Sequence, residues 1–558
     1  MKKQTLVLLS AAALVLTSCS GKLGALSADN FSVTPNPLET QAGQVPATIN
    51  GTFPMKYMKK KAVVTVTPEL RWMTTSGIKS TKSTPVSFQG EKVLGNDQTI
   101  SYKAGGNYTM KANFNYLPEM HESDLYLTFN AKVGKKSVEI PAVKVATGII
   151  ATSELYKQTL SQAKGTMAED AFQRVIEQKQ EANIQFLINQ ANLRKSELQN
   201  NSVQEFVRLL GEIAKDQEGK VLDAVEVSAY ASPDGGFALN EKLADKREKA
   251  TEDYLKKEMK KVGSNSPVDS KYTAEDWEGF QELVAASNIQ DKDVILRVLS
   301  MYKDPEEREQ QIKNISSAFK ELADGILPQL RRARLTANYQ LIGRDDDQIK
   351  DQIRTDASKL SVEELLYGAT LYDNDTKSTE NAYKKAVNLY PNDARAYNNL
   401  ATLAYEKGNY SEAKLWVEKA LKVNPSLPEA NANMGLILLQ TGDINNAEGY
   451  IAKGSSANGV QEIIGNLHLA QGKTAQAEQD FAGVNSNSAA LAQILNKNYA
   501  AAQNTLNNIQ NPDGTTDYLK AIVAARTGNK SAAAIALQSA TAKDPSLRQY
   551  AEKDLELK

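Results

Sequence analysis

The first part of the chain alternates between apolar and polar residues over short runs. From Leu125 to Val133 every second residue is apolar, and Gly134 then turns the chain into a further run at Ser137 to Val145. A period of two places alternate side chains on opposite faces of a strand. Similar runs separated by Gly, Pro and Asn lie upstream, at Ala62 to Thr67, Val86 to Val93 and Asn107 to Asn115. Residues 30–150 are therefore predicted to form a β-sandwich, for which we expect an immunoglobulin-like topology.

The pattern beyond residue 150 mixes strand and helix periods. Strand-like and helical runs follow one another in the order Ile184 to Ile188, Val203 to Ile213, Val221 to Ala231 and Asn240 to Lys260. This strand–helix–strand–helix order predicts an α/β domain over residues 151–345. Residues 261–330 interrupt the order and are predicted to be a helical insertion.

The last third of the chain repeats itself. Turn glycines recur at Gly408, Gly442, Gly472 and Gly528, and Pro391 and Pro425 are one 34-residue period apart. Small and apolar residues also recur at fixed places, which in the first clear unit are Tyr397, Leu400, Ala401, Ala404, Ala413, Val417 and Ala420. This spacing resembles the tetratricopeptide repeat.

A tetratricopeptide repeat is a helical hairpin in which small residues let two helices approach closely. Each hairpin buries its apolar face only by stacking on the next, and a concave surface results. Residues 346–558 are therefore predicted to form an α-solenoid. The resemblance implies that protein or peptide segments bind on its concave face.

The start of the chain is typical of an exported lipoprotein. Lys2 and Lys3 precede an apolar run from Thr5 to Leu16, which is shorter than the roughly 20 residues of a membrane-spanning helix. Leu16-Thr17-Ser18-Cys19 then resembles a lipobox, and Cys19 is the only cysteine in the chain. The alternative is an ordinary signal peptide followed by a chance cysteine.

The lipobox implies that residues 1–18 are a removed signal peptide and that Cys19 carries the lipid. Residues 19–29 would be a lipidated linker. They contain no acidic cluster of the kind that directs some lipoproteins to the cell surface. We therefore expect the protein to be lipid-anchored in the outer membrane and to face the periplasm.

A motif in the α/β region resembles the OmpA-like peptidoglycan-binding domain. Within Ala229 to Leu255, residues Asn240, Leu243 and Arg247 stand at the places of the family's Asn, Leu and second Arg, and Asp234 lies in the turn. The resemblance implies that an Asp takes the ammonium group of diaminopimelate, while the Arg takes its carboxylate.

One departure from the motif affects this expectation. Ser232 stands where the family has Asp, and a neutral hydroxyl cannot replace the charge, although Asp234 is two residues away. Arg247, Asp234, Ser232 and Asn240 are thus candidate peptidoglycan-binding residues. The alternative for Arg247 is a solvated charge on a helix.

The composition of the chain argues against several classes of function. Lys and Arg total 66 and Asp and Glu 67, so the chain has no basic excess for nucleic acid. The only two histidines, His121 and His468, are far apart in sequence. Phosphate-binding loops, nucleophile elbows and metal motifs are absent from the sequence. We therefore predict a non-enzymatic protein without cofactors, metal sites or a nucleic-acid partner.

These features predict a cell-envelope scaffold. It would tether the outer membrane to the cell wall, hold protein partners of an outer-membrane assembly or secretion machinery through its repeats, or do both. The alternative is a glycan-capture lipoprotein of the SusD-like class, which also carries tetratricopeptide helices. Sugar sites of that class cluster tryptophans, whereas Trp72, Trp277 and Trp416 are spread over three regions.

Overall fold

The computed structural model of the protein describes residues 23–289, 291–314 and 320–558. Cys19 lies outside the described residues, and its lipidation stays a prediction. No helix in the described part of the chain is long and apolar enough to cross a membrane. The chain forms two compact units, one made of the residues up to Glu169 with Tyr372–Lys558, the other of Asp170–Leu371.

The first unit begins with a β-rich region. Its strands are β1 (Phe31–Thr34), β2 (Leu38–Glu39), β3 (Gln44–Phe53), β4 (Ala62–Thr74), β5 (Gly77–Lys82), β6 (Val86–Gly90), β7 (Gln98–Ile100), β8 (Gly106–Asn115), β9 (Ser123–Val133), β10 (Lys136–Val138) and β11 (Val143–Ile150). One sheet has the order β1-β3-β8, and the other has the order β2-β11-β9-β4-β6-β7, with β5 on β4 and β10 on β9.

Both sheets contribute to one hydrophobic core. Ile49 of the smaller sheet and Val64 and Leu125 of the larger one are fully buried in it. Along β9 the alternation places Leu125, Leu127 and Ala131 inside, as the pattern predicted. The β-rich N-terminal region is thereby confirmed, while its immunoglobulin-like topology stays a prediction.

The second unit contains a four-stranded sheet in the order β12-β15-β13-β14. Its strands are β12 (Val175–Gln185), β13 (Lys220–Tyr230), β14 (Val268–Thr273) and β15 (Arg332–Ile342). β15 runs antiparallel to β12 and β13, and β14 runs parallel to β13. The region predicted to be a helical insertion therefore contributes one strand, because residues 268–273 add to the edge of β13.

The helices follow in chain order. They are α1 (Tyr156–Leu160) in the first unit and, in the second, α2 (Lys195–Leu198), α3 (Asn201–Lys215), α4 (Phe237–Lys261), α5 (Trp277–Ala286), α6 (Lys292–Met301), α7 (Pro305–Asn314), α8 (Leu327–Leu330), α9 (Asp346–Thr355) and α10 (Val362–Thr370). Single turns of other helix types lie at Ala28–Asn30, Pro118–Met120, Thr152–Leu155, Leu322–Ile326 and Ala357–Lys359.

Helix α3 shows how the apolar pattern builds this unit. Val203, Phe206, Leu210 and Ile213 recur every three or four residues and are buried, and the first three lie in the core that also contains the sheet. The described part of the insertion has a core of its own around Phe280 and other apolar side chains of α5–α8. Helices α9 and α10 belong to this unit, whereas the sequence pattern placed them at the start of the solenoid.

The remaining helices form the repeats of the first unit. They are α11 (Thr376–Leu389), α12 (Ala394–Glu406), α13 (Tyr410–Val423), α14 (Pro428–Gln440), α15 (Ile444–Lys453), α16 (Gln461–Ala470), α17 (Thr474–Asp480), α18 (Asn487–Leu495), α19 (Tyr499–Asn507), α20 (Gly514–Arg526), α21 (Lys530–Lys543) and α22 (Leu547–Ala551).

Antiparallel hairpins pair α12 with α13, α14 with α15, α16 with α17, α18 with α19 and α20 with α21. Gly408, Gly442, Gly472 and Gly528 end the first helices with φ between 72° and 81°, a conformation that favours glycine. The first helices of successive hairpins also contact one another. They form a continuous surface, named here the inner face, on α12, α14, α16, α18 and α20.

Candidate peptide-binding groove

The inner face is covered by a segment of the same chain. Residues 151–169, named here the strap, follow β11 and pack against the repeats rather than joining the α/β unit. The α/β unit thus begins at Asp170, and not at residue 151 as the sequence pattern suggested. The predicted surface for protein or peptide segments is in this structure the place where the chain holds its own segment.

The strap runs opposite to the order of the repeats. Its first residues lie at the C-terminal end of the chain, where the Tyr550 hydroxyl donates to the Ala151 carbonyl at 3.1 Å. Its last residue, Glu169, accepts a hydrogen bond through its carboxylate from Asn458 at 2.9 Å and lies near Arg395 of the first clear repeat. The segment therefore passes over most of the inner face.

The first half of the strap, Thr152–Leu160, is an apolar anchor. Leu155, Tyr156 and Leu160 are buried in the hydrophobic core of the repeats. Burying one such side chain contributes about 1.5–3 kcal/mol. The Tyr405 hydroxyl adds a hydrogen bond of 2.9 Å to the Leu160 carbonyl. The anchor is thus an integral part of the repeat core.

A buried ion pair lies beside Thr152, at the start of the anchor. Arg526 Nε lies 2.9 Å from Glu556 Oε2, and the two side chains are 15% and 5% exposed. The Thr152 hydroxyl donates to the other Glu556 oxygen at 2.8 Å. The C-terminal residues therefore fix the point at which the strap leaves the β-rich region.

The second half of the strap, Ala163–Glu169, is named here the arm, and it adopts no helix or strand. Asn433 holds Thr166 by two hydrogen bonds: its Oδ1 accepts from the Thr166 N–H at 2.7 Å, and its Nδ2 donates to the Thr166 carbonyl at 2.8 Å. Asn399 holds Ala168 in the same way, at 2.7 and 2.9 Å. These four bonds go to main-chain groups, and the Thr166 hydroxyl adds a longer one to Asn433 Oδ1 at 3.3 Å.

Two further inner-face side chains complete the clamp. Asn398 Nδ2 and the Thr402 hydroxyl donate to the Thr166 carbonyl at 3.0 and 3.1 Å. All four clamp residues are at most 3% exposed. A buried polar group without a partner costs about 1–3 kcal/mol. With the strap in place, its main-chain groups satisfy these buried amides and this hydroxyl.

The groove also selects side-chain size. A Cβ atom on Gly165 would lie 2.9 Å from Asn433 Oδ1 and 3.0 Å from Thr402 Cγ2. Thr166 and Ala168 are buried, and the Thr166 hydroxyl donates to the Glu429 carbonyl at 3.2 Å. Small side chains are thus required at three positions of the arm, while the Lys164 side chain is exposed.

Two glutamates lie near Lys164. The carboxylates of Glu406 and Glu462 both interact with its ammonium group, and Glu462 also accepts the Lys164 N–H. Burial raises the pKa of both glutamates, and the lysine opposes this rise. Two acidic side chains therefore lie near Lys164 at this point of the groove.

An open cleft of about 380 Å³ continues beside the arm. Its lining includes Gln162 and Lys164 of the strap and the amide side chains of Asn485, Asn487 and Asn511 from the repeats. The Asn487 Nδ2 atom bonds to Gln162 Oε1 at 3.2 Å and to Asp513 Oδ1 at 3.1 Å. Amide side chains thus also line an accessible cleft next to the inner face.

The residues of the OmpA-like motif lie together in the second unit, around the turn after β13. Arg247 is fully buried, and its guanidinium donates to the carbonyls of Gln190, Tyr230 and Leu187 at 3.0, 2.8 and 3.2 Å. Burial and the nearby Arg331 lower the pKa of Arg247 to about 10. The alternative of a solvated helix charge is therefore wrong for Arg247.

The other motif residues bond to groups of the same unit. Asp234 accepts from the Ser232 hydroxyl at 2.5 Å and from Arg331 Nη2 at 3.0 Å. Asn240 donates to the carbonyls of Ser232 and Gly235 at 3.2 and 2.7 Å. The cation that pairs with Asp234 is thus Arg331, and peptidoglycan binding at this turn stays a prediction.

Other candidate chemistry is not assembled in the described ranges. They contain no group of three or more His, Cys, Asp or Glu side chains that could hold a metal ion. His121 contacts the Tyr116 hydroxyl and His468 pairs with Asp480. Trp72, Trp277 and Trp416 lie on β4, α5 and α13.

Comparisons with known proteins identify the repeats. The tetratricopeptide-repeat family model matches residues 382–414. The C-terminal part of the chain thus contains tetratricopeptide repeats, as the spacing predicted. Proteins with such repeats are typically non-enzymatic scaffolds for protein–protein interaction. No curated protein matches the chain.

Solved structures with similarity to the chain are also repeat proteins. A tetratricopeptide repeat protein from Parabacteroides merdae is 17% identical, with 38% of this chain and 90% of that chain covered and a TM-score of 0.28. PilF from Pseudomonas aeruginosa is 17% identical, with 38% and 97% covered and a TM-score of 0.26. The type IV pilus biogenesis factor PilW is 18% identical, with 38% and 86% covered and a TM-score of 0.22.

The sequence pattern alone did not single out the clamp residues Asn398, Asn399, Thr402 and Asn433. One signal for them was present, because Asn399 and Asn433 are one 34-residue repeat apart on the predicted first helices. Polar residues at matching inner positions of a repeat indicate a ligand with matching polar groups.

Proposed function

We propose that this chain is a non-enzymatic scaffold lipoprotein of the bacterial cell envelope whose repeats bind extended segments of protein partners. In this proposal Cys19 carries the lipid, and the protein is anchored in the outer membrane and faces the periplasm. The observation that carries the proposal is the double clamp, in which Asn399 and Asn433 hold a main chain by paired hydrogen bonds.

The clamp favours peptide binding over glycan capture. A side-chain amide that both accepts from an N–H and donates to the carbonyl of the same residue matches the donor–acceptor pattern of a peptide unit. The tryptophans, in contrast, lie on three different elements, and no specific observation supports the SusD-like alternative. Protein segments are therefore the ligand class that fits the inner face best.

Partner binding has more support than cell-wall tethering. Asp234 already pairs with Arg331, and Arg247 donates to three carbonyls of its own unit. Wall binding stays a second part of the proposal. Sedimentation of the full chain with purified sacculi tests it, with Asp234→Asn expected to reduce the bound fraction and the exposed Glu241→Gln as the control.

A site-specific photo-crosslinker tests partner binding in intact envelopes. Placed at Asn485, which lines the open cleft, it should give discrete crosslinked protein products. Placed at Ile535, which is 66% exposed on the second helix of a hairpin, it should give few. Equal product patterns from the two positions would contradict a role of the inner face.

Membrane fractionation tests the anchor. The Cys19→Ser variant should lose the lipid and leave the membrane fraction or keep an uncleaved signal. Unchanged partitioning of this variant into detergent would contradict the lipobox interpretation, and it would leave the partner-binding part of the proposal standing.

A further inference from the structure

We infer that the arm is an exchangeable occupant of the inner face, and that the partner carries an extended segment with the pattern basic–Gly–Thr/Ser–any–Ala, which takes the arm's place. The pattern is that of Lys164 to Ala168. The inference rests on the proposed function, because it names the partner chemistry of the same groove.

The first step is that the clamp does not depend on the identity of the arm. Besides one contact from the Thr166 hydroxyl to Asn433 Oδ1 at 3.3 Å, which a serine could also make, Asn399 and Asn433 bond to the N–H and carbonyl groups of Ala168 and Thr166. Every peptide offers the same groups. A second chain entering in the same direction can therefore make all four hydrogen bonds once the arm has left.

The second step is that the strap is held in two physically different ways. The anchor buries Leu155, Tyr156 and Leu160 in the repeat core, where Ala163 at the start of the arm also lies, whereas the rest of the arm has no helix or strand and is held by polar side chains. The arm can therefore detach while the anchor stays in place. Detachment exposes amides that water can hydrate, and not a large apolar surface.

The third step concerns specificity. The contact distances at Gly165 leave no space for a side chain, and Thr166 and Ala168 are buried. Glu462 accepts the Lys164 N–H and lines the same cleft as the Lys164 side chain, so a guanidinium with more donors fits the position of Lys164 well. A competing segment with Arg at this position should therefore bind more tightly than one with the arm's own sequence.

The covalent connection of the arm to the rest of the chain determines how strongly the arm competes with a free peptide. Because the chain continues on both sides of the arm, its effective concentration at the groove is far above that of a free peptide. A free peptide can bind only those molecules in which the groove is empty. Because these are a small fraction, the apparent affinity of the peptide is lower than its affinity for the empty groove. Releasing the arm by mutation should therefore raise peptide affinity without any change in the groove.

The test uses the full chain and a fluorescent peptide with the sequence of residues 161–171. The variant Gly165→Val/Thr166→Pro is designed to release the arm. The valine collides with Asn433 and Thr402, and the proline removes the N–H that donates to Asn433. We expect this variant to bind the peptide at least tenfold more tightly than the parent. Adding Asn399→Ala and Asn433→Ala should abolish binding, and a peptide with valine at the glycine position should not bind.

A second readout works in the chain with an unmodified clamp and does not depend on the release variant folding. In a Cys19→Ser/Met167→Cys chain, a dye on the half-exposed arm residue 167 reports its surroundings. Titration with the peptide should shift the dye emission to that of the released arm, and the peptide with Arg in place of Lys164 should do so at a lower concentration.

Two results would overturn the inference. A folded release variant that does not bind the peptide shows that the groove holds only a tethered segment. Equal affinity of parent and release variant shows that the arm does not occupy the peptide site. Crosslinking at Asn485 is unaffected by either result, so that the proposed function and this inference can fail separately.

Discussion

Asn399 and Asn433 hold alternate residues of the same strap in reverse order: the later repeat binds Thr166 and the earlier one binds Ala168. The two asparagines are one 34-residue repeat apart. The repeat period thus places the same side chain twice along one extended main chain. The antiparallel course of the strap follows from its covalent start beside the last repeats.

Replacing either asparagine by alanine should destabilise the repeat unit. Asn399→Ala removes the partners of the Ala168 N–H and carbonyl, whereas Asn433→Ala removes the partner of the Thr166 N–H and one of three donors to the Thr166 carbonyl. Each substitution should lower the free energy of unfolding by about 1–3 kcal/mol, because buried polar groups lose their hydrogen bonds. Chemical denaturation followed by circular dichroism measures this.

The matched control is Asn445→Ala, on the exposed side of α15. Its free energy of unfolding should stay within about 0.5 kcal/mol of the parent, as is usual for exposed surface positions. If all three alanine variants lose the same stability, the clamp does not contribute as described.

The repeats could be predicted from the sequence because their signal is local. Ala401, Ala413 and Ala420 are fully or almost fully buried where the hairpin helices meet, as their spacing predicted. In β9, too, the period of two gave the correct inward face. Local periodicity reports burial, so elements whose contacts repeat at a fixed interval are visible in a single sequence.

The strap could not be predicted, because its contacts are long-range and involve main-chain groups. Thr166 and Asn433 are 267 residues apart, and nothing in the arm's side-chain pattern indicates where its N–H groups bond. The partner of Asp234 could not be predicted either, because Arg331 lies 97 residues further along the chain. The sequence motif located Asp234 in a turn but did not indicate which hydrogen bonds it forms.

Close helix packing within one hairpin should make Gly435 intolerant of substitution. A Cβ atom there would lie 2.3 Å from Ile451 Cγ1 and 3.1 Å from the Ala447 carbonyl. Gly435→Ala should therefore lower the thermal stability, by about 1–3 kcal/mol at the unfolding midpoint. Differential scanning calorimetry measures the change.

Gly449 provides the opposite case in the same hairpin. It lies within α15, and a Cβ atom there would meet nothing within 4 Å. Gly449→Ala should be neutral or stabilising by about 0.5–1 kcal/mol, because alanine loses less backbone entropy in a helix. Destabilisation by Gly449→Ala similar to that by Gly435→Ala would argue against the close packing at Gly435.

The buried pair Arg526–Glu556 should be sensitive to loss of one partner. Arg526→Ala leaves the nearly inaccessible Glu556 carboxylate beside Thr152 without its cation. We expect a loss of about 3–5 kcal/mol, and a smaller loss for the double variant Arg526→Met/Glu556→Leu. The exposed pair Lys79–Glu119 is the control, and Lys79→Ala should cost less than about 1 kcal/mol.

Replacing Arg247 should mainly lower the stability of the second unit. Arg247→Ala leaves three carbonyls without a charged donor, so it should lower the free energy of unfolding by about 3 kcal/mol or more. Arg208→Ala on the exposed face of α3 should change it by less than about 0.5 kcal/mol. An Arg247→Ala protein as stable as the parent would show that the arginine is available for a ligand.

Amide hydrogen exchange of residues 163–169 tests the clamp most directly. Outside a helix or strand, this segment would ordinarily exchange fast, but the parent should protect it because Asn433 and Asn399 accept the N–H groups of Thr166 and Ala168. In the Asn399→Ala/Asn433→Ala variant the protection should disappear, while that of α13 remains. Equal and rapid exchange of the segment in both proteins would contradict the account.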